Sequence, residues 1–299
     1  MKGYGVMEGK RTELEEKIYC DVQTEIRNYY DSNDIKYRSN EEPEDTIIDF
    51  LSYLYRLIPI TKRKVHYSKE LSKKIDLKEI DEKQAEILKQ YSDAFSEGKN
   101  MNVFLSNNIK EPKKPDFLLY TWHLYHLHMS GKFVEDINQM KNNRSDTQLL
   151  CIINMRDVYF VDVISHPKKA EEYFDLQKMK IIKENGWMEK IGFYEIKDMI
   201  PESLEPKITE INEIFELYKL GINLSFEFDG KAYSPLAQMS QARRPVDATQ
   251  KLFEINRKIS KLNNVTGTYM GFQFDKEIDD LVGYVKFGTP SGEVKFNIF

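Results

Sequence analysis

The histidines of this chain are concentrated in one stretch of the sequence. Four of the five, His123, His126, His128 and His166, lie between residues 123 and 166. Imidazole has an unperturbed pKa of about 6.5, so it can both accept and donate a proton near neutral pH. Two imidazoles on one face, one neutral and one charged, form a general base and a general acid. The cluster therefore predicts acid/base catalysis.

The secondary structure around residue 125 decides which of these imidazoles act together. In a β-strand His126 and His128 share a face, because side chains repeat every two residues. In a helix His123 and His126 share a face instead. The large apolar and aromatic residues of this segment suit either structure.

Cleavage of RNA through its 2′-hydroxyl is the reaction that these residue types favour. It needs a base, an acid and a cation that stabilises the charge developing on phosphorus. In this hypothesis His126 and His128 share the base and acid roles, and Arg144 stabilises the phosphorane oxygens. His166, at the end of an apolar strand, positions the scissile phosphate or assists the leaving group. The predicted mechanism uses no metal and no cofactor.

Two other interpretations of the same histidines stay open. A His-x-His pair on a strand, joined by a third histidine and a carboxylate, could bind zinc or another first-row metal. Asp162 is a carboxylate that could serve there, or could orient an imidazole. Alternatively, the imidazoles are ordinary core or surface groups without chemistry.

A basic segment near residue 62 predicts contacts to phosphate. Residues 61–74 contain seven basic or imidazole side chains and one acid. Closely spaced lysines neutralise backbone charge, so Lys62, Arg63 and Lys64, together with His123, are predicted to bind substrate. A solvated loop followed by a helix start is the alternative.

The histidine segment is similar to a pattern found in uncharacterised bacterial proteins, Trp-x-x-x-His-x-His, then Arg, then Tyr-Phe-x-Asp, then His. The residues that match it are Trp122, His126, His128, Arg144, Tyr159, Phe160, Asp162 and His166. His123 stands where the pattern has Gly, and Tyr125 stands where it has His. The resemblance implies an anti-phage defence protein of the abortive-infection or toxin-like kind, many of which are ribonucleases.

Composition excludes several other classes of protein. The formal net charge is −5, which argues against nonspecific binding to duplex DNA. The longest apolar run, residues 149–164, is shorter than a membrane span and contains charges. The first residues lack the apolar core of a signal peptide. Two distant cysteines, Cys20 and Cys151, exclude a disulfide scaffold. We therefore expect a cytoplasmic protein without membrane contact.

Periodicity predicts a mixed α+β fold. Helices are predicted at 11–30, 47–58 and 81–97, a short strand at 101–105, and hairpins at 149–164, 223–234 and 281–299. This gives a mainly helical N-terminal part, residues 1–108, followed by two mixed α+β units with antiparallel hairpins. The central unit, residues 109–205, carries the histidine cluster, and the C-terminal unit comprises residues 206–299.

The leading functional prediction is a metal-independent ribonuclease of anti-phage defence. RNA is the expected substrate, and a phage protein or an antitoxin is the expected protein partner. The alternative is a non-enzymatic sensor or adaptor of a defence system. The aromatic content, 12%, suits a protein interface.

Overall fold

The structure is a computed structural model that describes residues 11–130, 133–134, 144–197, 208, 210–236, 238–275 and 282–299. Within these residues there are eight α-helices and ten β-strands. The helices are α1 (Glu13–Ser32), α2 (Pro43–Arg56), α3 (Lys69–Asp76), α4 (Glu82–Glu97), α5 (Phe117–Trp122), α6 (Leu176–Glu184), α7 (Ile211–Lys219) and α8 (Val246–Lys261). The strands are β1 (Lys64–Tyr67), β2 (Tyr125–Ser130), β3 (Arg144–Ile153), β4 (Asp157–Ser165), β5 (Phe193–Glu195), β6 (Phe226–Phe228), β7 (Lys231–Pro235), β8 (Thr268–Asp275), β9 (Val282–Thr289) and β10 (Gly292–Asn297). The predicted α+β class with a helical N-terminal part is confirmed.

The helix boundaries follow from side-chain caps. Thr12 accepts a hydrogen bond from the backbone of Glu15, whose carboxylate accepts one from the backbone of Thr12. This reciprocal pair satisfies two backbone donors at the start of α1. Asp81 and Gln84 form the same arrangement before α4, and Gly98 ends that helix in the left-handed region that glycine adopts without strain.

A four-stranded mixed sheet contains the histidine segment. Its order is β1-β4-β3-β2, with β1 parallel to β4 and the other pairs antiparallel. The β3–β4 hairpin confirms the one predicted at residues 149–164. Because β2 pairs with β3, the segment that carries His126 and His128 lies directly beside this hairpin.

One face of this sheet is a hydrophobic core. Leu127, Leu149 and Phe160 are completely buried there and pack with residues of α4 such as Phe95, whose ring centre is 6.0 Å from that of Phe160. Side chains alternate along a strand, so the intervening residues project from the opposite face. That opposite face is the one that His126 and His128 occupy.

The chain divides into two compact units. One comprises residues 56–109 and 114–246, and includes the four-stranded sheet. The other comprises residues 1–55, 110–113 and 247–299. Within it, α1 buries Ile18, Val22 and Ile26, and Tyr269 on β8 donates a hydrogen bond of 2.7 Å to Asp21 on α1. The first and last segments thus associate within one unit, and the three predicted parts stay a prediction.

The C-terminal hairpin forms as predicted in the second of these units. Strands β8, β9 and β10 make an antiparallel sheet in which β9 and β10 form the hairpin predicted at residues 281–299. The hairpin predicted at 223–234 is also present, as β6 and β7, with Asp229 and Gly230 both at positive φ in its turn.

The predicted strand at 101–105 is wrong. Residues Asn102–Phe104 form one turn of 3-10 helix instead. The side chain of Asn102 donates to the backbone oxygen of Ile58 and accepts from its backbone nitrogen. These bonds, together with the burial of Val103 and Phe104, override the strand propensity.

No helix among the described residues is both long enough and apolar enough to cross a membrane.

Candidate functional site

The histidine segment changes from helix to strand at His123. Asp116 caps α5, which ends when His123 adopts a left-handed conformation with φ of 49°. The buried indole of Trp122 donates a hydrogen bond of 2.7 Å to the hydroxyl of Tyr218 and fixes the end of the helix. Strand β2 begins at Tyr125, so His126 and His128 share one face.

Pairing between β2 and β3 sets the positions of both imidazoles. His126 lies opposite Leu150, and His128 lies opposite Gln148. The hydroxyl of Tyr91 on α4 donates a buried hydrogen bond of 2.8 Å to the backbone oxygen of His128. The strand is therefore held from the core face while its imidazoles project from the other.

His166 joins the same cluster from the end of β4. Its backbone nitrogen donates to the backbone oxygen of Asp146 at 2.7 Å, which places it beside β3. The ring centres of His128 and His166 are 5.3 Å apart, and those of His126 and His128 are 6.3 Å apart. All three rings line one cavity of about 420 Å³, called here the histidine cavity.

The three imidazoles differ in exposure. His128 is buried, with 3% of its surface exposed, His126 is half-buried, and His166 is exposed. The cavity therefore runs from solvent to a ring that is shielded from it.

Gln148 connects His128 to Tyr173, which follows β4 in a 3-10 turn. The hydroxyl of Tyr173 donates to Gln148 Oε1 at 2.6 Å. The amide nitrogen is thereby directed at the ring nitrogens of His128, at 3.4 and 3.5 Å. An amide nitrogen can only donate, so this contact favours a neutral imidazole over a charged one.

Tyr173 remains a hydrogen-bond donor over the whole physiological pH range. Burial raises the pKa of its phenol to about 12, although the bond to Gln148 acts in the opposite direction. Its ring also lies 5.1 Å from that of His126. The hydroxyl thus orients Gln148 and does not itself supply a proton near neutral pH.

The hydrogen bond of His166 has the opposite character. Its Nδ1 lies 2.9 Å from the backbone oxygen of Pro167, and a carbonyl oxygen can only accept. Nδ1 therefore carries the proton. This arrangement is compatible with a positively charged ring.

Cationic and aromatic groups complete the lining. The buried guanidinium of Arg56 donates to the backbone oxygens of Asn108, Ile109 and Lys114 at one side of the cavity. Lys168 and Lys169 are exposed beside His166. The cavity is also lined by five aromatic side chains, Phe117, Tyr125, Tyr173, Phe174 and Phe215.

The residues predicted to bind substrate do not line this cavity. Arg63 is buried and donates to the backbone oxygens of Asn154, Pro59 and Thr61, so its charge serves the local fold. Lys62 is exposed just before β1, and Lys64 is exposed as the first residue of that strand. His123 is half-buried at the helix end.

Two further predicted residues are placed differently. Arg144 begins β3, where its Cα pairs with Ser130, and its side chain lies outside the described part of the structure. Asp162 does not orient an imidazole through its described contacts. Its carboxylate instead accepts hydrogen bonds of 2.7 and 2.9 Å from Lys74.

Several contributors to the cavity were not predicted from the sequence, Gln148, Arg56 and Tyr173 among them. Gln148 could have been found, because it lies opposite His128 on the neighbouring strand, and paired residues project from the same face of a sheet. Arg56 gave no signal, since it comes from an element far away in the sequence, and Tyr173 gave none, since it lies in an irregular turn after β4.

Among the described residues, no group of three or more His, Cys, Asp or Glu side chains has a geometry that could hold a metal ion. Comparison of the chain with models of protein families, with curated proteins and with solved structures gives no match.

Proposed function

We propose that this protein is a metal-independent ribonuclease. The observation that carries the proposal is the convergence of His126, His128 and His166 on one cavity that is open to solvent. Imidazole can both accept and donate a proton, so three such groups can supply the base, the acid and a positive charge for one reaction centre.

The reaction is transfer of a phosphoryl group within the RNA backbone. The base removes the proton of a 2′-hydroxyl, whose oxygen then forms a bond to the neighbouring phosphorus. The bond from phosphorus to the 5′-oxygen of the next nucleotide breaks, and the acid protonates that oxygen. The products are a 2′,3′-cyclic phosphate and a 5′-hydroxyl end, and no oxidant, metal or water is consumed in this step.

The hydrogen bonds of the cluster favour a particular assignment of roles. We assign His128 the role of general base, because the Gln148 amide 3.4–3.5 Å away favours its neutral form, and the 2′-hydroxyl replaces this long contact at the lone pair. His166 is the general acid, because its contact with Pro167 is compatible with a charged ring. His126 lies on the other side of His128 and binds the phosphoryl oxygens.

The spacing of the rings suits this chemistry. An acid and a base that serve one phosphorus each need an oxygen within a hydrogen bond, about 2.6–3.2 Å. With ring centres 5.3 and 6.3 Å apart, nitrogens at the edges of neighbouring rings can reach two oxygens of one phosphoryl group that lies along these edges. Lys168 and Lys169 supply positive charge at the exposed side, and Arg144 stays a predicted contributor.

Cleavage of a matched pair of oligonucleotides tests the proposal. Purified protein in EDTA should cleave single-stranded RNA and leave the same RNA intact at positions with a 2′-deoxy sugar. His166→Ala and His128→Asn should lower the rate by at least about 100-fold, the usual contribution of general acid/base groups. His66→Asn is the matched control, because this imidazole lies outside the cavity and pairs with Asp157.

The outcomes separate the competing interpretations. Cleavage of the 2′-deoxy positions would overturn the mechanism. Activity that disappears in EDTA and returns with zinc would favour a metal site. The His166 side chain is exposed, so its removal should leave the melting temperature nearly unchanged. A large drop in the melting temperature of His166→Ala would instead assign the cluster a structural role.

The biological role that we propose is anti-phage defence, which rests on the resemblance of residues 122–166 to proteins of that kind. Cells that produce the wild-type chain should restrict phage plaques, and cells that produce His166→Ala should not. Restriction by both forms, together with RNA that remains intact, would favour the non-enzymatic sensor or adaptor.

A further inference from the structure

The histidine cavity has an aromatic side that the chemistry of the imidazoles does not use. Phe117 and Phe215 lie edge to face, with ring centres 5.7 Å apart, and Phe174 lies 5.6 Å from Phe215. Phe117 and Phe215 are half-buried, so both retain some surface that a ligand can reach. Aromatic faces of this kind stack on nucleobases, and each stacked base contributes about 1–3 kcal/mol.

A carboxylate lies at the same side of the cavity. Asp116 immediately precedes Phe117 and lines the cavity as a half-buried residue. Its Oδ1 accepts one hydrogen bond, from the backbone nitrogen of Leu119 at 3.1 Å, as the cap of α5. A carboxylate has about four acceptor sites and no donor, so it retains acceptor capacity for a ligand.

We propose that this side of the cavity binds one unpaired guanine base of the RNA substrate, with Asp116 accepting from its N1–H and N2–H groups. The inference rests on the proposed function and names the nucleotide that this function selects. Guanine places two adjacent donors on its Watson–Crick edge, which matches a carboxylate. Uracil places acceptor oxygens on both sides of its single donor, and these oxygens repel a carboxylate.

The base must be unpaired for this contact. In a duplex the donors of guanine are already bonded to cytosine, and the base is stacked between its neighbours. Recognition through the Watson–Crick edge therefore selects single-stranded loops and ends, whose bases can be splayed out and stacked on aromatic side chains. Duplex RNA with the same sequence should be a poor substrate.

Asp116→Asn tests the donor pattern without removing the helix cap. Asn is as good an N-cap residue as Asp. When its amide oxygen caps α5, its NH2 group presents a donor where the carboxylate presented an acceptor. Asp175→Asn is the matched control, since Asp175 caps α6 by accepting from Gln177 and is not part of the cavity lining.

The measurement is the ratio of cleavage at guanosine to cleavage at uridine in one single-stranded RNA of mixed sequence. Wild type and Asp175→Asn should favour guanosine by about tenfold or more, in line with the energies of base discrimination by paired hydrogen bonds. In Asp116→Asn the ratio should fall at least about tenfold. An equal ratio in all three proteins would overturn the inference and leave the ribonuclease proposal standing.

Binding of mononucleotides separates this inference from the proposed reaction. Guanosine monophosphate should bind the wild-type protein more tightly than uridine monophosphate in calorimetry, and Asp116→Asn should lose this difference. If the protein binds guanosine monophosphate in this way but cleaves no RNA, the ribonuclease proposal fails and the guanine site survives. If neither nucleotide binds and cleavage shows no base preference, the guanine site is refuted.

Discussion

At the scale of single residues, the central feature is an amide held between a phenol and an imidazole. Gln148 accepts from Tyr173 with its oxygen and therefore directs its nitrogen at His128. Without the hydroxyl of Tyr173, the amide could rotate and present its oxygen to the imidazole. Tyr173 is thus a positioning residue that acts on His128 through Gln148.

Tyr173→Phe should lower kcat while leaving KM nearly unchanged. Loss of one orienting hydrogen bond, about 0.5–1.5 kcal/mol, corresponds to a decrease of about two- to tenfold. Steady-state kinetics on single-stranded RNA, with the pH profile of kcat, are the measurement. The acidic limb of that profile, which reports the protonation of the general base His128, should shift. The reason is that the orientation of Gln148 governs which protonation state of His128 is favoured.

Tyr194→Phe is the control for this experiment, because Tyr194 is an exposed residue of β5. It should match wild type in rate and pH profile. A Tyr173→Phe protein that melts at a lower temperature but keeps both kcat and the profile would assign Tyr173 a purely structural role.

At the scale of elements, the site depends on β2 being held at the correct depth between α4 and the cavity. The hydroxyl of Tyr91 on α4 bonds to the backbone oxygen of His128, and Tyr91 and Leu127 are both completely buried. The same strand therefore contributes to the core with one set of side chains and to the cavity with the other.

Tyr91→Phe should destabilise the protein by about 1 kcal/mol, because a buried hydrogen bond is lost without a large change in volume. Urea unfolding should show a lower midpoint and an unchanged slope. Cleavage at low urea should persist, since the pairing of β2 with β3 also positions His128. A variant as stable as wild type would show that this bond does not hold the strand.

At the scale of the whole molecule, many phenols are buried. Desolvation raises the pKa of Tyr120 and Tyr173 to about 12 and raises those of Tyr91, Tyr125 and Tyr218 further. In the unfolded chain these groups titrate near 10. Above that pH the unfolded chain therefore binds fewer protons than the folded protein does.

Stability should consequently be insensitive to these phenols below about pH 10 and should fall as the pH rises from about 10 to 12. Absorbance of tyrosinate checks the cause. The native protein should keep these phenols protonated at pH 11, whereas the same chain in urea should ionise them near pH 10. Coincident titration curves in the two conditions would contradict the prediction.

Local patterns determined much of the fold. Capping residues such as Thr12 and Asp81 mark helix starts because their side chains satisfy backbone donors next to them in sequence. The Asp229–Gly230 turn and the alternation of apolar residues in β9 and β10 likewise act over a few residues. Such signals depend on neighbours along the chain, so the sequence alone predicts them.

The identity of the site depended on tertiary structure. The sequence indicated that His126, His128 and His166 were candidates, but it left helix and strand equally open at residue 125. The left-handed turn at His123 and the pairing with β3 decided that question. Arg56 reaches the cavity from a distant element and Tyr173 from the turn after β4, through contacts that no local pattern encodes. Basic residues near residue 62 looked equally suited to bind phosphate, yet packing buried Arg63 among backbone oxygens, because a guanidinium can satisfy carbonyls as well as substrates.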